Sequence, residues 1–140
     1  MTNSSSVPAF SDLAATLLVV EPDAPTLKFF TGLLQRAGYH VESIRQGKEG
    51  LVAAWQNLPA LIVLDLVLPD IEGVEVVRKL RKDARTANTP ILALAASDQP
   101  ELAQAAREAG VNEVIIKQPG AHAELVEKVQ DLQRSVDYLL

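Results

Sequence analysis

Asp65 follows the apolar run Leu61-Ile62-Val63-Leu64 without a break, so its carboxylate is held at the end of a strand rather than carried on a loop. A fixed carboxylate there can act as a nucleophile, as a metal ligand or as a helix N-cap. Two other apolar runs end in the same manner. Glu21-Pro22-Asp23 follows residues 17–20, and Lys117 follows residues 114–116. Taken alone, Asp65 reads as readily as a cap, and Lys117 reads as an exposed strand-end lysine. Taken together they make two sources of carboxylate and one ammonium. Carboxylates brought close repel one another unless a cation lies between them, and a hard divalent ion such as Mg2+ with oxygen ligands is the usual solution. Lys117 would neutralise the remainder, or pair with an anion transferred onto Asp65.

These residues can meet only if the elements that carry them end on one edge. From Thr16 onward, short apolar runs alternate five times with longer stretches of helical period, the signature of a parallel α/β sheet. Strands are expected at 17–20, 40–44, 61–64, 91–95 and 114–116, and helices at 26–37, 48–57, 74–82, 101–109 and 121–139. Four of the strands read as continuously apolar and therefore buried on both faces. The second, with Val41 and Ile44 among polar residues, reads as an edge. Gly38 and Gly110 stand where left-handed C-caps would end the first and fourth helices. In such sheets ligands bind at the carboxyl ends of the strands, where Glu21, Asp23, Asp65, Ala95-Ala96-Ser97 and Lys117 are expected to gather. No other cluster competes with that edge. The segment 83–89 reads as a polar loop. Trp55, with Leu51 and Val52 at helical spacing, reads as packing, and His40 and His122 lack neighbours at metal-ligand spacing.

Composition narrows the function classes. The chain has 140 residues, 48% hydrophobic and 22% charged, enough for one core and one domain. A net charge of −5 without a basic stripe argues against nucleic-acid binding. With no cysteine there is no disulfide, thiolate metal site or Cys nucleophile. No apolar run approaches the ~20 residues of a membrane span, and residues 1–14 lack the features of a signal peptide. A protein of the cytoplasm, without a membrane partner, is expected. Its organisation reads as a leader over 1–14, the domain over 15–133 and a helical extension over 134–140.

The segment LIVLDLVLPDIEG at 61–73, with AGYHV at 37–41, TPILALAA at 89–96 and AGVNEVIIK at 109–117, resembles the receiver domain of two-component response regulators. That resemblance runs from about residue 16 to 132. It implies a flavodoxin-like (βα)5 fold with strand order 2-1-3-4-5 and a signalling protein rather than an enzyme. Asp65 would be phosphorylated by a partner histidine kinase or phosphotransfer protein, and Lys117 would contact the phosphoryl oxygens. Mg2+ would be held by Asp65, an acid after the first strand and the backbone carbonyl of Val67. A downstream protein or an output domain would read the state.

The sequence departs from that family in four places. Pro22 replaces the second of two adjacent acids, leaving Glu21, with Asp23 as the candidate to swing into the vacant arm. Ala95 replaces a Ser or Thr, and Val114 replaces a Tyr or Phe. Gln118 separates Lys117 from Pro119. Weakened or absent Mg2+ binding is the expectation. Two readings follow: a phosphoacceptor receiver with an atypical switch, or a phosphorylation-independent pseudo-receiver acting as an interaction module. Glu21-Pro22-Asp23-Ala24-Pro25-Thr26 also faintly resembles the acidic motif of haloacid-dehalogenase phosphatases, but with Glu in place of the nucleophilic Asp. In the last helix Leu125 and Val129 are expected to pack on the sheet. Val136, Tyr138, Leu139 and Leu140 are expected to be exposed unless a homodimer or a linker helix covers them.

Overall fold

The computed structural model describes residues 15–139, with side chains described through residue 134. The expectation for the leader therefore lies outside the described residues, and the expectation for the apolar residues from Val136 onward falls on side chains that are not described. Five strands and five helices alternate: β1 (Thr16–Val20), α1 (Ala24–Arg36), β2 (His40–Ile44), α2 (Gly47–Asn57), β3 (Leu61–Asp65), α3 (Gly73–Lys82), β4 (Ile91–Ala95), α4 (Pro100–Ala109), β5 (Glu113–Ile116) and α5 (Ala121–Leu139). All strand pairs are parallel and the order is β2-β1-β3-β4-β5, the flavodoxin-like arrangement the sequence implies.

Alternation along the strands builds a core on each face of the sheet. Leu17, Val19, Leu61, Val63, Leu92, Leu94 and Ile115 point toward α1 and α5. Leu18, Val20, Ile62 and Leu64 point toward α2 and α3, where Leu51, Val76, Val77 and Leu80 meet them. Beneath α4 a third cluster is made largely of alanines, Ala93, Ala95, Ala103 and Ala106, with Leu66 and Val74.

Two expectations need correction. β5 was expected to be continuously buried, yet only Ile115 is, and the strand is the second edge of the sheet. Val52 was grouped with packing residues and is half exposed, while Leu51 is buried and Trp55 half-buried. Residues 83–89 also do more than a polar loop would. Thr86 is fully buried and donates its hydroxyl to the Leu80 carbonyl at 2.7 Å. Arg81 donates to the carbonyls of Thr86, Ala87 and Thr89 at 3.2, 3.2 and 2.7 Å, to Gly110 O at 3.0 Å and to Asn112 Oδ1 at 3.1 Å. One guanidinium thus joins the end of α3, the entry to β4 and the α4–β5 turn.

Register aligns the strand ends. Val20 lies beside Ile44 and Leu64, Asp65 beside Leu94, and Ala95 beside Ile116. The residues that immediately follow or close β1, β3, β4 and β5 therefore share one edge.

Candidate functional site

Three of the residues singled out in the sequence meet at that edge. Lys117 Nζ lies 2.6 Å from Asp65 Oδ2 and 2.8 Å from Glu21 Oε1. Glu21 is fully buried and Asp65 is 4% exposed, so both ion pairs are largely shielded from water. The other carboxylate oxygens are also occupied. Asp65 Oδ1 accepts the Val67 N–H at 2.8 Å, and Glu21 Oε2 accepts the Asp23 N–H at 3.0 Å. Burial raises the Glu21 carboxyl above its ordinary value, against the lowering effect of the Lys117 hydrogen bond. Burial alone would lower Lys117, but its hydrogen bonds to Asp65 and Glu21 outweigh that, so the ammonium is held above the ordinary lysine value. The cluster is a fixed arrangement of two carboxylates around one permanent cation.

The structure does not bring Asp23 into the cluster. Its side chain caps α1, with Oδ2 accepting the Thr26 N–H at 3.1 Å and the Thr26 hydroxyl as well. Those bonds hold the Asp23 carboxyl below its ordinary value. An Asp followed by Pro25 and Thr26 at the start of a helical pattern is a readable capping signal, and the local hydrogen bonds win over the metal arm.

Four further residues shape the surroundings: Asp70, Gly47 and Arg45 carried no signal in the sequence, whereas Gly73 reads there as a glycine suited to a positive φ before the third helix and takes none. Asp70, from the β3–α3 loop, accepts the N–H groups of Gly47 and Lys48 at 2.8 and 2.9 Å and so caps α2 from outside. Gly47 must be small there, because a Cβ would lie 2.4 Å from Ile71 Cγ2. Gly73 lets α3 start against the end of β3, since a Cβ would lie 2.5 Å from Leu66 Cα and 2.8 Å from Asp65 O. Arg45, just past β2, donates Nε to the Pro22 carbonyl at 3.0 Å. Asp70 and Arg45 act on partners about twenty residues away, which no local pattern reveals.

The sequence matches the profile described as "Response regulator receiver domain" over residues 17–130. The chain belongs to the response regulator receiver family. RpaA of Synechocystis sp., a DNA-binding dual master transcriptional regulator, is 33% identical over 121 residues, 86% of this receiver and 50% of RpaA. The chain thus spans half the length of that relative. The chemotaxis response regulator CheY4 of Vibrio cholerae superposes with a TM-score of 0.78 at 28% identity, covering 85% of this chain and 98% of that one. The receiver domain of a sensor histidine kinase from Pseudomonas aeruginosa PAO1, solved with a magnesium ion coordinated in its active-site cleft, gives 0.76 at 26% identity, covering 86% and 96%. Receivers are signalling modules of two-component systems, and no helix among the described residues is long and apolar enough to cross a membrane.

The donor set of this receiver does not fit a divalent ion in the arrangement seen. Glu21 and Asp65 already share the Lys117 ammonium, Pro22 brings no carboxylate, and Asp23 is turned to Thr26. Among the described residues no three Asp, Glu, His or Cys side chains are placed to hold a metal. Where the resemblance leads one to expect a hydroxyl and an aromatic ring, Ala95 is buried at the end of β4 and Val114 is half-buried on β5. Neither side chain has a hydroxyl or ring to reach the site. His122 lies edge-on to Phe29 with ring centroids 5.7 Å apart, in keeping with a packing role.

Proposed function

We propose that this receiver accepts a phosphoryl group on Asp65 from a partner histidine kinase or phosphotransfer protein and signals its state to a downstream protein or output domain. The observation that carries the reading is the position of Asp65. It is the last residue of β3, it is held by the Val67 N–H, and the Lys117 ammonium lies 2.6 Å from one of its oxygens.

The chemistry asked of the protein is mostly placement and charge balance. An Asp65 oxygen attacks phosphorus as the P–N bond of the partner's phosphohistidine breaks. The bonding pair leaves with the imidazole nitrogen, and a P–O bond to Asp65 forms. Lys117 offsets the negative charge that arrives, and the Val67 N–H keeps the carboxylate from rotating away. Without a hydroxyl at Ala95 or a ring at Val114, the state is read through some other rearrangement of this edge, which is the atypical switch.

A second reading, a phosphorylation-independent interaction module, is favoured by one observation: all four carboxylate oxygens of Glu21 and Asp65 already have donors, with Pro22 in place of the second acid. Intact-mass spectrometry after incubation with a small phosphodonor separates the two. The first predicts a gain of one phosphoryl group that disappears in Asp65→Asn. Absence of any gain, with partner binding indifferent to Asp65→Asn, establishes the second.

A further inference from the structure

We propose that Lys117 and Arg45 take the place of the divalent cation in this receiver, so that a phosphoryl group arriving at Asp65 is met by protein cations alone. The phosphoryl half of this inference rests on the function proposed above. The cation half stands on the geometry by itself.

A hard divalent ion needs carboxylate oxygens that are free to face it, and it gives up its own water reluctantly. Here Glu21 Oε1 and Asp65 Oδ2 converge on Lys117 Nζ at 2.8 and 2.6 Å, the point at which two carboxylates would otherwise call for a metal. Their remaining oxygens receive the N–H groups of Asp23 and Val67. An incoming ion would have to share both oxygens with the lysine ammonium and would gain no third acid in return. The position of that third acid is Pro22, and its carbonyl is covered by a second cation, Arg45, whose Nε donates to it at 3.0 Å. Arg45 makes no direct ion pair among the described residues, and its charge acts at longer range on Asp23. Arg45 lines a cleft of about 480 Å3 with Pro22, Gln46, Glu49 and Pro69. One positive charge thus sits between the two carboxylates, and another, exposed to solvent, lies at the carbonyl of Pro22, the residue next to Glu21. Each of the two charges disfavours a divalent cation and favours a phosphoryl dianion, against the carboxylates around them.

Mn2+ titration of the whole chain, followed by electron paramagnetic resonance and by competition with Mg2+, tests the cation half without reference to activity. Wild type is expected to show no saturable binding at millimolar Mn2+. Lys117→Ala, which releases the two carboxylates onto one another, is expected to bind Mn2+ roughly tenfold or more tightly. Should Lys117→Ala fail to fold by circular dichroism, the pair Pro22→Asp with Arg45→Ala serves instead and is expected to gain binding. Saturable binding by wild type, displaced by Mg2+, overturns the proposal. For the phosphoryl half, labelling with phosphoramidate is expected to proceed within about twofold in Mg2+ and in chelator, and Arg45→Ala is expected to slow it in both. Labelling that collapses in chelator overturns the metal-free site while leaving Asp65 as acceptor. No labelling of wild type in either buffer defeats the function proposed above, and the Mn2+ titration then decides the cation replacement alone.

Discussion

Replacing Arg81 by alanine tests whether one guanidinium holds three parts of the fold together. Its five hydrogen bonds end on four backbone carbonyls and on Asn112 Oδ1, whose same oxygen also accepts the Ile91 N–H at 2.8 Å. Hydrogen bonds from a charged donor contribute about 1.5–3 kcal/mol each, but Arg81 is only partly buried and water will replace several of them. Counting two as lost without replacement gives a cost of about 3–6 kcal/mol. For a chain of this length that lowers the melting temperature by roughly 10–20 °C. Urea unfolding followed by Trp55 fluorescence and circular dichroism should show the midpoint falling with an unchanged slope. Arg81→Lys keeps the charge but not the planar fork, and should recover less than half of the loss. A cost below about 1 kcal/mol for the alanine variant would refute the reasoning, because it would mean that the carbonyls are equally well satisfied by water.

Gly73→Ala should damage the β3–α3 loop more than a typical glycine replacement, since its methyl group would meet backbone atoms of Asp65 and Leu66 rather than a movable side chain. We expect a loss of at least about 3 kcal/mol by urea unfolding, together with shifted amide resonances at Leu66 and Val67. Asp70→Ala removes the outside cap of α2 and should cost about 1 kcal/mol at neutral pH. The backbone hydrogen bonds from Lys48 and Gly47 outweigh burial and hold the Asp70 carboxyl below 3.8, so that contribution is present above 3.8. The gap between wild type and Asp70→Ala should therefore close as pH falls below that value, which thermal melts across pH 2.5–6 would measure. Lys117 has the opposite sign. Its folded value is raised, so its stabilisation is complete below 10.5 and is lost as pH climbs above it. Melts of wild type and Lys117→Met between pH 8 and 11.5 should converge at the alkaline end.

The convergence of Glu21, Asp65 and Lys117 was legible because continuous apolar runs mark parallel strands, and parallel strands bring their carboxyl ends to one edge. β5 shows the limit of that logic. Val114-Ile115-Ile116 is as apolar as any central run, but an edge is defined by a missing neighbour, not by its own residue types. Asp23 was weighed as a metal arm when Thr26, three positions on, offered it a nearer pair of donors. Arg81 was invisible because a long side chain chooses carbonyls as far away as Gly110, and carbonyls carry no sequence signal. The same holds for Asp70, whose partners on α2 precede it by more than twenty residues.

The alanine cluster beneath α4 sets how that helix fluctuates. Each methylene moved out of water contributes about 0.8 kcal/mol, so a helix anchored by the methyl groups of Ala103 and Ala106 on Ala93 and Ala95 is attached far more lightly than α3, anchored by Val76, Val77 and Leu80. Local opening should cost less at α4 than at α3, and its amides should exchange with solvent well before those of α3. A partner that grips α4 would then be selecting from an ensemble in which the helix already breathes. In such a receiver a signal can travel as a change in how often one helix lifts from the sheet, with no side chain required to swing.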